Sequence, residues 1–469
     1  MANSLTSGRD AAILANLLMI LMKYQSNFWS GIINNSRGCL LVLIAGCVLI
    51  ACSSEPQYDS FGGYTGIERE ATGWFRVEKV NDRWMFITPE GHGYVALGAN
   101  HTGRYLNERK QSVWLYERIV DNRQQAYVAM YQAYQQSGLN AGEAYAPLNS
   151  YLKQKLPYIA HINYPGSKFE FDIFDDSVQI AFREHLIPAC RSFATDSMAL
   201  GIAYVDLPVW NSRRINYYRS LPASAPGKKR YQEFLINRYN SIDELNDSYG
   251  MSLTSFDELL ETTEWELDTE RPVVQEDNNA FMGEIAKALY TLLRDITREG
   301  APNHLFLGER YVLRMVPEPV LRAVAKYVDV FCTQALILSP QRPPEWQVFQ
   351  LEGYDSTFSI VQKPIIIVDW ATPFSLDATY TNDRGIIKAE AEAAEDVAQW
   401  VKDALQQPYI IGVFKCQFIG THGNDRWFPK GRMKRTLWQD DGTAFPVMTE
   451  RVSQAHREAL DEVYKSVKK

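Results

Sequence analysis

The sequence predicts an α/β protein built as a (β/α)8 TIM barrel, preceded by a short β-hairpin and an N-terminal signal segment. Three observations carry this expectation. Eight nearly continuous apolar runs alternate with helical patterns along the chain, as buried parallel strands do. Polar and charged residues collect at the C-terminal ends of those runs, where a barrel builds its site. No Gly-rich phosphate loop follows the first run, as a dinucleotide-binding open sheet would need.

At 469 residues, with 46% hydrophobic and 12% aromatic residues, the chain can bury one large core. Its N-terminus reads as a targeting segment. The apolar run CLLVLIAGCVLIACSS, from Cys39 to Ser54, is short for a bilayer span and ends in small residues, as a signal h-region does. Residues 1–51 are therefore expected to be a signal segment, with Met22 as an alternative start, and residues 52–70 an anchor and linker. Residues 71–469 are expected to form one barrel domain including the hairpin.

Taken in order, GWFRVEKV and RWMFITP alternate around Asn81-Asp82, a hairpin signal. The eight strand candidates follow: Gly93 to His101, Ser137 to Tyr145, Leu156 to Tyr164, Leu200 to Asp206, His304 to Tyr311, Asp329 to Leu336, Pro364 to Trp370 and Tyr409 to Phe418. Helical patterns lie between them. In one, Ile285, Leu289, Leu292, Leu293 and Ile296 share a stripe.

Charge and cysteine content narrow the function. Without residues 1–51 the 48 basic and 56 acidic residues lose three and one, leaving 45 and 55 and a net charge of −10, which argues against nucleic acid as a partner. Beyond Cys52, Cys190, Cys332 and Cys416 lie far apart in apolar contexts and read as small buried hydrophobes. No metal or organic cofactor is implied.

The polar residues at strand ends are Asn100, His101, Asn140, Glu143, His161, Asp206, Glu309, Arg310, Gln334, Asp369 and Gln417. Trp210, Trp370 and Trp427 follow strand ends and could be sugar platforms or packing. His422 joins the substrate-binding candidates. Arg104, Arg213, Arg214, Arg310, Arg314, Arg426, Lys430, Arg432, Lys434 and Arg435 make the segments after the strands basic, which fits an anionic sugar or a solvated surface.

Two stretches carry resemblances. Leu49-Ile50-Ala51-Cys52 resembles the lipobox of bacterial lipoproteins, which implies acylation of Cys52, a periplasm-facing or cell-surface location, and the outer membrane in a Gram-negative host. ATGWFRVEKVNDRWMFITPEGHGYVALGANH resembles the opening of the family 50 β-agarases and agarase-like proteins. YQEFLINRYNSIDELNDSYG, Tyr231 to Gly250, resembles the segment after strand four in that family and in the family 42 β-galactosidases. The resemblance runs from about Ala71 to the C-terminus. It implies a glycoside hydrolase with an acid/base glutamate ending strand four, usually in Asn-Glu, and a nucleophilic glutamate ending strand seven. Here those strands end in Asp206 and Asp369.

Glycoside hydrolysis needs two carboxyl groups flanking the scissile bond. Asp206 is expected as the acid, Asp369 as base or nucleophile, and Glu309 as a substitute for either. The expected substrate is a galactan-type poly- or oligosaccharide, agarose-like or sulfated. The alternative is a non-catalytic carbohydrate-binding lipoprotein on a degenerate glycosidase barrel.

Overall fold

Apolar runs flanked by helices pair as parallel strands because both of their faces can then be covered. The computed structural model describes residues 57–100, 123–142, 150–265, 271–335, 349–376, 381–382, 385–386, 388–419, 433–439 and 442–467. All but residue 57 belong to the unit Tyr58–Lys469. The chain opens with β1 (Tyr64–Glu68), β2 (Arg76–Val80), β3 (Arg83–Ile87) and β4 (His92–Tyr94), an antiparallel sheet in the order β1-β4-β3-β2. β2 and β3 turn at Asn81 and Asp82, both at positive φ. β1 corrects the expectation of a linker up to residue 70, because Ile67 is buried and Tyr64 stacks on Tyr464 at 4.6 Å.

Seven parallel strands follow: β5 (Ala96–Ala99), β6 (Tyr158–Ile162), β7 (Ala199–Asp206), β8 (Phe306–Val312), β9 (Phe331–Gln334), β10 (Ile365–Trp370) and β11 (Ile410–Lys415). Their order, β5-β11-β10-β9-β8-β7-β6, is that of a barrel in which, among the described residues, no strand stands between β5 and β6.

The expected second strand from Ser137 does not form among its described residues, 137–142. Its place is bridged first by backbone bonds: Asn140 and Ala141 donate to the Leu97 carbonyl, and Gly142 donates to that of Pro157. The Asn140 side chain completes the bridge, accepting from the Leu97 N–H at 2.7 Å and donating to the Val95 carbonyl at 3.0 Å. The turn before it needs Gly138 at φ +68°, which breaks the strand conformation the apolar pattern suggested.

Inward side chains of the barrel, among them Ile159, Leu200, Leu305, Ile366 and Phe414, form one core cluster with Phe75, Phe86 and Tyr94 of the small sheet, which closes the end where the strands begin. Outside lie α1 (Arg123–Gln136), α2 (Asp176–Arg191), α3 (Ser212–Ser220), α4 (Pro226–Arg238), α5 (Ile242–Tyr249), α6 (Pro272–Gly300), α7 (Glu318–Val324), α8 (Leu351–Val361), α9 (Glu390–Gln406) and α10 (Pro446–Val467). The predicted stripe of α6 is buried, with Ile285, Leu289, Leu293 and Ile296 each at 0% exposure.

Candidate active site at the barrel mouth

Strict alternation along a strand would decide which polar residues enter the mouth, and the chain breaks that alternation at three places. Val205 has φ 20°, Gly308 φ 71° and Asp369 φ 85°. Strand register shifts at or beside each of them. Positive φ at Val205 and Asp369 is strained for residues with a side chain, and such strain concentrates at functional sites. Leu305, just before β8, and Leu307 on it face inward, and simple alternation would send Glu309 inward too. The break at Gly308 instead turns Glu309 toward the helices and Arg310 into the mouth.

Arg310 joins the two aspartates. Its Nε donates to Asp206 Oδ1 at 2.6 Å, its second terminal nitrogen pairs with the same oxygen, and its Nη1 donates to Asp369 Oδ2 at 3.1 Å. One guanidinium fork spanning both holds the bonded oxygens no more than about 8 Å apart, no farther than glycosidase carboxyl pairs can stand. Arg310 is 4% exposed, Asp369 14% and Asp206 34%, so a ligand entering the mouth meets Asp206 first.

Asp369 has a further neighbour that sequence reading treated as a small hydrophobe. Cys416, just past β11, shares a side-chain hydrogen bond with it. Burial, with Asp369 adjacent, pushes the Cys416 thiol well up, so it stays protonated and serves as a donor. A cysteine's place beside a carboxylate on another strand leaves no local sequence signal.

Glu309 is fully buried and offers nothing to a ligand, which corrects its candidacy as a catalytic group. It accepts from Tyr164 Oη at 2.9 Å, Trp210 Nε1 at 3.2 Å and Tyr290 Oη. Burial raises its pKa, while Arg214 and the three donors pull it down.

Trp210 and Trp370 are likewise packing. Trp210, 3% exposed, carries the Arg214 guanidinium on its ring at 4.2 Å, and Trp370, also 3% exposed, stacks on Trp400 at 4.0 Å. Neither leaves a face for a sugar ring.

Asn100, Gln334 and Gln417 are buried at or just past the ends of β5, β9 and β11, and His161 is half-buried on β6. Asn140 is committed to the bridge described above. Arg213 is exposed on α3. His101, Glu143, His422 and Trp427, with Cys52, lie outside the described residues. Among the described residues, Asp59, Glu90 and His92 of the small sheet are close enough together to hold a metal ion. Asp59, however, already accepts from Thr88, Phe61, Gly63 and the His92 ring.

Lys415, ending β11, is 1% exposed, donates from Nζ to the Arg435 carbonyl at 2.9 Å and lies 5.2 Å from the Trp370 ring centre. Burial first, and the Arg435 charge after it, lower its pKa to about 7. Between pH 7 and about 10 the unfolded chain then holds a proton that the folded chain lacks, so this residue makes stability rise with pH across that window. Lys415→Met removes the burden of an ammonium buried below pH 7. The variant's stability relative to wild type should be highest at or below pH 7, by roughly 4–5 kcal/mol, and fall toward pH 10. Denaturation midpoints measured at pH 6, 8 and 10 check this, and parallel profiles would contradict it.

No model of a known protein family matches the chain. Beta-agarase B of Vibrio sp. (strain JT0107) is 20% identical over 466 residues, a match covering 80% of this chain and 47% of the agarase. The chain thus spans about half the length of that curated relative. Among solved structures, PfGH50B superposes with TM-score 0.72 and 18% identity, covering 92% of this chain and 72% of the other. An exo-beta-agarase superposes at 0.70 with 14% identity, covering 90% and 70%, and the agarase AgWH50C at 0.70 with 17%, covering 92% and 71%. In sequence and in fold, the chain resembles the family 50 agarases.

Proposed function

We propose that the chain is a glycoside hydrolase acting on a galactan-type polysaccharide or oligosaccharide, agarose-like or sulfated, with a β-galactosidic linkage as its target. The observation that carries this reading is the convergence of Asp206 and Asp369 on Arg310 at the mouth of an agarase-type barrel. Asp206, the more exposed, is the acid that protonates the departing glycosidic oxygen. Asp369, held by Arg310 and Cys416, attacks the anomeric carbon or activates water.

The test is reducing-end release from agarose, porphyran and carrageenan oligosaccharides, with binding followed by calorimetry. Release from a galactan supports the reading, and release from none opposes it. A second reading, a carbohydrate-binding protein without turnover, draws on the same clamp, since both aspartates accept hydrogen bonds from Arg310.

We also propose that Cys52 carries lipid and anchors the chain at a bacterial membrane, facing the periplasm or the cell surface. Two or more acyl chains give stable anchoring, so Cys52→Ser should release the chain from the membrane fraction or leave an uncleaved precursor. Unchanged fractionation and processing would contradict the anchor.

A further inference from the structure

Beside the mouth lies a pocket of about 430 Å³, within the size range of small-ligand sites. Phe169, Tyr217 and Trp265 supply its aromatic lining, and Arg213, Arg219 and Glu170 its charges. Its lining is tied to the end of β7 through the chain: Phe169 follows Lys168, whose ammonium donates to the Asp206 carbonyl. Arg213 and Arg219 both come from α3, which starts a few residues after Asp206.

The charges there are unbalanced. Arg219 is 2% exposed, yet its hydrogen bonds go to neutral groups: Tyr231 Oη at 2.9 and 3.0 Å, Asn278 Oδ1 at 2.7 Å and Asn216 Oδ1 at 3.2 Å. Lys228, 1% exposed behind it, donates to the carbonyls of Arg219 and Thr262. Both cations lie against the Trp265 ring, at 5.3 and 5.5 Å from its centre. Burial, then repulsion from Arg219, lowers the Lys228 pKa to about 8, only partly countered by Glu261. At the rim, Arg213 is exposed and has no carboxylate partner among the described residues, while Glu170 is the one acid lining the pocket. Buried cations with too little counter-charge are unfavourable, and an anion at the rim would offset them. Guanidinium groups bind oxyanions through paired hydrogen bonds, and the aromatic side chains offer an apolar sugar face its surface.

We propose that this pocket binds a sugar unit bearing an oxyanion, either a sulfate ester or a carboxylate, belonging to the saccharide chain held at the mouth. The assignment rests on the hydrolase reading for its substrate class, but its test is a binding measurement that needs no turnover. The full chain is titrated calorimetrically with galactose 6-sulfate, galacturonate and galactose, and the titrations are repeated with Arg213→Ala, an exposed position whose loss leaves the core untouched. At least one charged sugar should bind about tenfold or more tightly than galactose, and Arg213→Ala should remove most of that advantage. Which charged sugar shows the advantage identifies sulfate or carboxylate as the source. The proposal is overturned if neither charged sugar outbinds galactose, or if the advantage survives in Arg213→Ala. Failure of the hydrolase reading appears separately, as absent reducing-end release from every galactan while the charged-sugar titration still succeeds.

Discussion

Asp369→Asn should lower turnover about a hundredfold or more, and Asp206→Asn by a similar factor, the scale of losing a positioned proton-transfer group. The argument lies in what each substitution preserves. Asn keeps the shape of Asp and an oxygen that still accepts from Arg310, so the clamp between β7, β8 and β10 survives in outline. What it loses is a carboxyl able to carry or take a proton. Oligosaccharide affinity should therefore change far less than turnover. Initial rates and calorimetric affinities on one substrate separate the two quantities. Near-normal turnover in both variants would remove the aspartates from the chemistry.

The largest effect on stability is expected at Glu309. Glu309→Ala leaves Tyr164, Tyr290 and Trp210 without their acceptor and strips the buried Arg214 of the carboxylate whose charge it feels. Removing one partner from such a buried charged group costs about 3–5 kcal/mol, so unfolding by urea should show a loss of that order. Glu309→Gln retains one acceptor oxygen and the side-chain volume. It loses the charge facing Arg214 and one acceptor but keeps the packing, so it should lose less stability than Ala and keep turnover within about fivefold. A general acid at this position would behave in the opposite way: Gln would abolish turnover while leaving the unfolding midpoint unchanged.

The pattern of stability and activity at these positions reflects what the chain makes legible. Parallel strands buried on both faces are near-continuous apolar runs, so seven of the expected eight could be found without geometry. The second does not form over its described residues, 137–142, because they are interrupted by Gly138 at positive φ and by Asn140, which substitutes side-chain hydrogen bonds for a strand ladder. In the site, the polar residue at each strand end was readable, but the direction it faces was not. Period-two alternation assumes unbroken strands, and Val205, Gly308 and Asp369 each break one. That is why Glu309 and Arg310 exchange the faces that counting assigns them. The tryptophans misled for another reason: Trp210 and Trp370 follow strand ends but turn into the helical layer, onto Arg214 and Trp400. The Cys416–Asp369 contact and the packing of Arg219 and Lys228 against Trp265 join residues far apart in the chain, invisible to spacing.

The central claim, that the clamped aspartates form a hydrolytic pair, is tested most directly by counting reducing ends released per protein molecule. The wild type and the Asp206→Asn/Asp369→Asn double variant are compared on whichever galactan oligosaccharide binds most tightly. The account predicts many turnovers for the wild type and a loss of at least about a hundredfold in the double variant, with binding retained. Tight binding by the wild type with no release, or equal release by both proteins, would contradict it.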